Sequence, residues 1–490
     1  MDRSHAARKA RRLVPVEGRY GGKNIHVLGV AGTEGSSVVD FLMRRGLTTI
    51  TGHDLHAGEA FAAEFDRTHQ WLSPEGRRAA LARLHAYPIP VHTGERYLSG
   101  IERADVIFVP QSWFRHAVNE PVRALRDRGV ALSSMTHLFF EAAPCPIIGV
   151  TGTNGKFTVA YLIHQMLAGS GLRAFFSGND RTHVPMLYYS DGLRPDDWLV
   201  LEISNRQLVG LPYSPHIGVL TNIAPHHLDD HGTMDAYVDV KRTIVRHQQP
   251  GDLAVLNADN PYTRAMAEGT VHPHLFSRAS RPRPGAYLED GSAVIVHHGL
   301  EQTVPLHDLP TPGAQAIENA LAALLASSLA GASAPAMAAA LAEFRGLPYR
   351  CRTVGEVDGV RYIEDSLATN PAAAAAAVAG MDRRFVLIAG GARPQATVED
   401  FAPLREVLAS SPVRAVLLIG ETAGLLGQAL VELPVPVERA GTLDAALARA
   451  RELAGAGEAV LFSPACESFD QFRDYRERGD RFAALVQAVR

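Results

Sequence analysis

The sequence predicts an α/β protein of three successive doubly wound units, each a mainly parallel sheet with helices on both faces. Three observations carry this. The apolar run NIHVLGV at 24–30 breaks into AGTEGSS and then a helix-like stretch, VVDFLMRRG. The same order of strand, glycine turn and helix returns in CPIIGV at 145–150, TGTNGK and FTVAYLIHQMLAG. It returns again where FVLIAGG (385–391), AVLLIG (415–420) and AVLFSP (459–464) are each followed by a turn and a helical stretch. Apolar strands alternating with helices imply parallel sheets, which carry their ligands at the C-terminal ends of the strands.

In order along the chain, the first unit spans 1–143 and is Rossmann-like. Its further strands are expected at Ile50–Gly52 and Asp105–Val109, and its glycines Gly29, Gly32 and Gly35 are too loosely spaced to identify a ligand. The second unit, 144–346, adds the strands WLVLEIS (198–204) and HIGVLTNI (216–223), both ending on polar residues. The alanine-rich stretch Ala316–Phe344 reads as two helices broken at GASAP, and GLPYR at 346–350 as a hinge. The third unit, 347–490, is again Rossmann-like.

Composition narrows the function classes. Hydrophobic residues at 46% and charged residues at 20% describe an ordinary globular chain. A net charge of −4 argues against a general nucleic-acid binder. Three widely spaced cysteines, Cys145, Cys351 and Cys466, fit a reducing compartment, and no apolar run is long enough for a membrane span. The cytoplasm and a monomer are expected. The basic start, MDRSHAARKARR, reads as a flexible tail.

GTNGK at 152–156 lies between a strand and a helix, the context of a P-loop phosphate cradle. Its N–H groups and the helix N-terminus favour an anion, and Lys156 stands where phosphates need a cation. Gly152, Thr153, Asn154, Gly155 and Lys156 are therefore candidates for ATP. Phe157 occupies the position where a hydroxyl would hold Mg²⁺, and a hydroxyl follows only at Thr158. Glu202 ends a strand from which a carboxylate can reach a metal at that loop, with Ser204 two residues on as a substrate contact. In NIAPHHLDDHG (222–232) a zinc site, a plain surface loop and one histidine assisting a hard cation are the alternatives; His227 is favoured for the last. Lys241 on its own reads as a solvated helix charge. Asp365 ends a strand in EDSLATNP, which suits a ribose hydroxyl or a metal. Ser463 and Ser468 in FSPACESFDQF are expected to face a cleft, and Cys466 to be a buried thiol rather than a nucleophile.

Taken in order, GTNGK, LEIS, HHLDDHG, YVDVK, NALAAL, LPYR, EDSLATNP and SPACESFDQFRDYRERGDRF resemble the Mur ligase family, nearest to its glutamate-adding members. The resemblance implies three domains, for a UDP-sugar acceptor, for ATP and for the incoming amino acid. It implies transfer of the ATP γ-phosphate to a carboxylate of the UDP-N-acetylmuramoyl-L-alanine type, then attack of the glutamate amine on the acyl phosphate. Glu202 and His227 match metal positions, and Lys241 a carbamylated lysine that assists a second Mg²⁺. Lys156, Lys241 and His227 are the catalytic candidates. Asn319, Arg350 and Asp365 match nucleotide contacts and Asn179 a substrate contact. For the amino acid, Thr369, Ser468 and the backbone near Tyr475 offer hydrogen bonds. Leu367 stands in place of the family's Lys, leaving Arg393 as the nearest cation for a carboxylate. A ligase of the same fold joining a different amino acid and carboxylate, and an inactive nucleotide-binding homologue, are the alternative expectations.

Overall fold

The computed structural model describes residues 14–69, 71–178, 184–225, 228–306, 314–344, 346–393 and 396–488. The chain divides into two compact units, 1–343 and 344–490. The first contains two sheets and the second contains one.

The first sheet is wholly parallel. It comprises β1 (Ile25–Leu28), β2 (Ile50–Asp54), β3 (Val91–Thr93), β4 (Val106–Phe108) and β5 (Ala131–Ser133), in the order β3-β2-β1-β4-β5. The strand order reverses at β1, so the glycine turn after it opens into the crevice between β1 and β4. The helix Thr33–Arg44 follows that turn and buries Val38, Val39, Phe41 and Leu42.

The second sheet runs β14-β13-β12-β11-β10-β9-β6-β8-β7. Its strands are β6 (Ile147–Thr151), β7 (Ala174–Ser177), β8 (Trp198–Glu202), β9 (Ile217–Leu220), β10 (Leu253–Asn257), β11 (Pro273–Ser277), β12 (Gly285–Glu289), β13 (Ser292–His297) and β14 (Leu300–Pro305). Every residue of β6 is buried, as expected of a parallel strand covered on both faces. The helix Lys156–Gly169 covers one face and packs on the helix Ala314–Leu329, whose alanines allow close approach. A second helix, Ala334–Glu343, follows the break expected at GASAP.

The third sheet holds β15 (Arg352–Val357), β16 (Val360–Glu364), β17 (Phe385–Gly390), β18 (Val413–Ile419), β19 (Val437–Gly441) and β20 (Ala459–Phe462), in the order β15-β16-β20-β17-β18-β19. Because β20 inserts between β16 and β17, three turns meet at the C-terminal ends of neighbouring parallel strands.

Parallel winding is not uniform. β12, β13 and β14 form an antiparallel meander, and β15 pairs antiparallel with β16. Two-residue turns make these reversals: Asp290-Gly291, His298-Gly299 and Asp358-Gly359, with positive φ at both residues in each. Among the described residues no helix is long and apolar enough to cross a membrane.

Candidate active site

The phosphate-type loop follows β6, and its shape is fixed from below. Gly152 has φ +152°, and a Cβ there would lie 1.9 Å from Thr221 Oγ1. Gly155, φ +81°, caps the helix Lys156–Gly169, and a Cβ there would lie 2.1 Å from Asn319 Oδ1. Neither site admits a side chain. The loop is pinned to the end of β9: Thr153 N donates to Asn222 O at 2.8 Å and Asn154 N to Asn222 Oδ1 at 2.9 Å. Thr221 Oγ1 donates to Asn154 O at 2.6 Å, and Thr153 Oγ1 lies 3.2 Å from Tyr237 OH. Lys156 Nζ folds back onto Thr153 O at 3.1 Å, on the loop itself.

Glu202 ends β8, in register beside Val150 of β6, so its carboxylate stands next to the loop. Lys241 comes from the helix Met234–Arg246 beneath the loop and is 1% exposed. The solvated-charge reading of this lysine is therefore wrong: the helix turns it inward, where its Nζ donates to Thr151 Oγ1 at 2.9 Å and Gly152 O at 3.0 Å. Burial, then the neighbouring Lys156 charge, pulls its pKa well below the ordinary lysine value, with Glu202 opposing. Asn319 reaches the loop from the helix Ala314–Leu329 and accepts from Gln315 Nε2 at 3.0 Å.

Thr158 lies in the first turn of the loop's helix. Phe157 beside it packs edge-on against Phe176 of β7 at 5.3 Å and parallel to Tyr161 at 6.5 Å. Oxygen donors such as Glu202 and Thr158 with a backbone cradle fit a hard cation and phosphates. Among the described residues no group of three His, Cys, Asp or Glu is placed to hold a metal ion. Asn179, His226 and His227, together with the basic first dozen residues, lie outside the described residues.

A cavity of about 620 Å³ adjoins this end of the sheet. Gly29, Thr33 and Glu34 line one side, Asp54, Tyr97 and Trp113 another, and Glu202 and Arg206 the side toward β8. Ser204 caps the helix Asn205–Leu208 in a reciprocal bond with Gln207. Asp230, in the short helix Leu228–His231, is held by Arg115 at 3.2 Å and Arg206 at 2.7 Å.

In the second unit, Asp365 follows β16 and accepts from Cys351 N at 3.1 Å and Ser463 Oγ at 2.6 Å. Burial raises its pKa to about 6. Arg350, adjacent to Cys351, is exposed. The expectation that Ser463 and Ser468 face a cleft is corrected: they are 0% and 2% exposed. Ser463 is bound to Asp365, and Ser468 O accepts from Phe472 N at 2.9 Å, so the turn folds inward over β20. Cys466 is buried as expected. Ala392 bridges to Glu467, which brings Arg393 beside that turn, and its Nε is buried without a hydrogen-bond partner. Thr369 is half-buried, and Tyr475 meets Tyr349 edge-on at 5.5 Å.

Sequence reasoning missed Arg478. It is 1% exposed and donates to Ser366 O at 2.9 Å, Cys466 O at 3.0 Å and Glu467 O at 3.0 Å. It also missed Asn222 and Tyr237, the pins of the loop. Asn222 directly follows a predicted strand end, which was the available signal; Arg478 in RERGD looks like any surface charge.

A glycine turn joining a buried parallel strand to a helix N-terminus is the architecture of nucleotide-binding α/β enzymes. Residues 150–327 match the Mur ligase middle domain and 349–466 the Mur ligase, glutamate ligase domain. A UDP-N-acetylmuramoylalanine--D-glutamate ligase of Symbiobacterium thermophilum is 38% identical over 421 residues, 84% of this chain and 90% of that one. One from Geobacter metallireducens is 35% identical over 476 residues, 96% and 98% of the two chains. Among solved structures, the UDP-N-acetylmuramate-alanine ligase of Thermotoga maritima aligns with TM-score 0.51 at 17% identity, covering 96% of this chain and 100% of that one. The MurF ligase of Thermotoga maritima, in complex with ADP, aligns at 0.50 and 16%, covering 99% of each. The chain belongs to the Mur ligase family, whose members are ATP-dependent, ADP-forming ligases.

Proposed function

We propose that this chain joins glutamate to the carboxylate of UDP-N-acetylmuramoyl-L-alanine, converting ATP to ADP and phosphate. The observation that carries the reading is the placing of Glu202, which stands beside the phosphate-type loop and also lines the adjoining cavity. An acceptor in that cavity brings its carboxylate to the loop. A carboxylate oxygen attacks the γ-phosphorus, the bond to the β–γ bridging oxygen breaks, and ADP leaves with that electron pair. The glutamate amine then attacks the acyl carbon, loses a proton, and phosphate departs. Lys156 and the loop N–H groups neutralise the transferring phosphoryl group, and the fixed loop orients it. Glu202, Thr158 and His227 would hold Mg²⁺, which supplies further charge neutralisation. Lys241 is the proposed carbamate; a buried amine held close to the loop supports this. In the second unit Arg393 is the proposed anchor of a glutamate carboxylate, with Thr369 and the backbone near Tyr475 as hydrogen-bonding partners; Ser468, turned inward, is not among them. Arg350 and Asp365 would contact the nucleotide, and Asn179 and Ser204 the substrate. The proposed division of labour is 1–143 for the acceptor, 144–346 for ATP and 347–490 for the amino acid.

One observation favours a different acceptor. Glu34 lines the cavity at the start of the helix Thr33–Arg44, where a diphosphate would meet a carboxylate. The test is phosphate release with ATP, UDP-N-acetylmuramoyl-L-alanine and D- or L-glutamate, with the product identified by mass. Turnover that needs both substrates supports the reading. Turnover only with another carboxylate or amino acid replaces it, and none across a broad panel overturns the enzyme.

A further inference from the structure

Gln111 lies in the turn after β4, at the edge of the cavity. Both ends of its side-chain amide are engaged, with residues that follow strands of two different sheets. Its Nε2 donates to Glu34 Oε1 at 2.7 Å, and its backbone N to Glu34 Oε2 at 2.9 Å. Its Oε1 accepts from Ser204 Oγ at 3.0 Å. Glu34 sits in the first turn of the helix after the β1 glycine turn, and Ser204 is two residues beyond Glu202. Three side chains thus connect the glycine-turn side of the cavity to the strand end that carries the carboxylate beside the loop.

We infer that Gln111 is a positioning residue, and that the chain Glu34–Gln111–Ser204 transmits occupation of the acceptor cavity to the strand end bearing Glu202. The inference rests on the acceptor occupying this cavity, as proposed above. An amide suits the role because it is acceptor at one end and donor at the other, and so joins a carboxylate to a hydroxyl without a second charge. Ser204 also caps its own helix, accepting from Gln207 N at 3.3 Å. A shift of Gln111 is therefore passed to Ser204 and the helix Asn205–Leu208 that it caps. A ligand pressing on Glu34 moves Gln111 through two hydrogen bonds rather than one, which makes the linkage stiff.

The experiment uses the full chain, with UDP-N-acetylmuramoyl-L-alanine as probe. Hydrogen exchange is followed at 32–36 and 203–208, alongside steady-state kinetics. In the wild type the acceptor protects both segments. In Gln111→Leu it protects 32–36 alone, the acceptor KM rises about tenfold for a lost charge-assisted bond, and the ATP KM is unchanged. Gln111→Glu sets two carboxylates side by side and is impaired. Adding Glu34→Gln to it rebuilds all three bonds, since Gln at 34 donates to Glu at 111 and accepts from its N–H. That double variant recovers the wild-type KM and the protection at 203–208, an outcome no merely structural role produces. Gln111→Leu indistinguishable from the wild type, or a double variant no better than Gln111→Glu, overturns the relay and leaves the proposed reaction standing. A wild type neither protected by this acceptor nor turning it over overturns the proposed acceptor, and the relay's role with it.

Discussion

Phe157 poses the sharpest question at the scale of single residues, since its ring stands where a cation-binding hydroxyl is expected. The ring leans toward β7, into Phe176 and Tyr161, rather than into the loop. Removing one hard oxygen ligand weakens a cation that prefers near-octahedral oxygen coordination. Phe157→Thr is therefore expected to lower the Mg²⁺ concentration for half-maximal activity. Thermal stability should fall slightly as two ring contacts are lost, each worth roughly 0.5–1.5 kcal/mol. An unchanged Mg²⁺ requirement shows that the position does not face the metal. Lys241 supports a second prediction. Burial already disfavours its ammonium, so deleting the amine costs less stability than deleting a buried donor usually does. Lys241→Ala should lose activity far more than melting temperature, and bicarbonate should raise wild-type activity and leave the variant unmoved. Near-normal turnover of Lys241→Ala removes this residue from the chemistry.

Among elements, the turns after β16, β17 and β20 show what the sequence made legible and what it concealed. β17 and β20 were readable as apolar runs, β16 only from the Asp365 at its end, and each turn as the place where polar residues begin. Their meeting was not readable, because it depends on β20 inserting between β16 and β17, a pairing with no local signal. The inward fold of Ser463 was concealed for the same reason: Asp365, its partner in space, is 98 residues away in sequence. The hairpins differ. Asp290-Gly291 and Asp358-Gly359 are strong two-residue turn signals, and a reading committed to parallel winding passed over them. Arg478 holds two of the converging turns through three carbonyls, and burial lowers its pKa only to about 10, so it stays charged at neutral pH. Its planar fork matches carbonyls that a lysine cannot span together. Arg478→Lys should destabilise the second unit by about 2–4 kcal/mol in denaturant unfolding, with Arg478→Met no better. A loss below about 0.5 kcal/mol for both shows that the turns hold themselves.

For the whole molecule, the two units carry opposite responses to acid. All 21 histidines precede residue 344, so the second unit has none. In the first unit, among the described residues, burial lowers the pKa of seven histidines: His26, His53, His69, His137, His164, His274 and His297. It takes His26, His69, His137 and His297 to about 4 and His53 to about 3; the neighbours His26 and His92 add to the effect at His53. A histidine whose folded pKa is depressed takes up a proton on unfolding. The stability it contributes is full above about 6.5 and is lost as pH falls through the folded value. Glu34 and Glu141, raised by burial, act in the other direction, but two carboxyls stand against seven histidines. In the second unit the buried carboxyls of Asp365, at about 6, and Glu364 are raised by burial. Their contribution is full below the ordinary carboxylate range and lost as pH rises through about 6, so acid favours this unit. Its lowered carboxyls, Asp382, Asp400, Glu438 and Glu477, respond only below the ordinary carboxylate range and do not enter between pH 7.5 and 5. Each unit has its own core, so two unfolding transitions are expected. Calorimetry from pH 7.5 to 5 should show the transition of residues 1–343 moving down while that of 344–490 holds or moves up. Each pKa unit of displacement corresponds to about 1.4 kcal/mol, so these histidines together outweigh any single surface ion pair. His53→Gln should reduce the acid shift of the first transition and leave the second untouched. Two transitions that fall together, or a second unit that is the more acid-labile, would show that these buried groups do not govern the pH response.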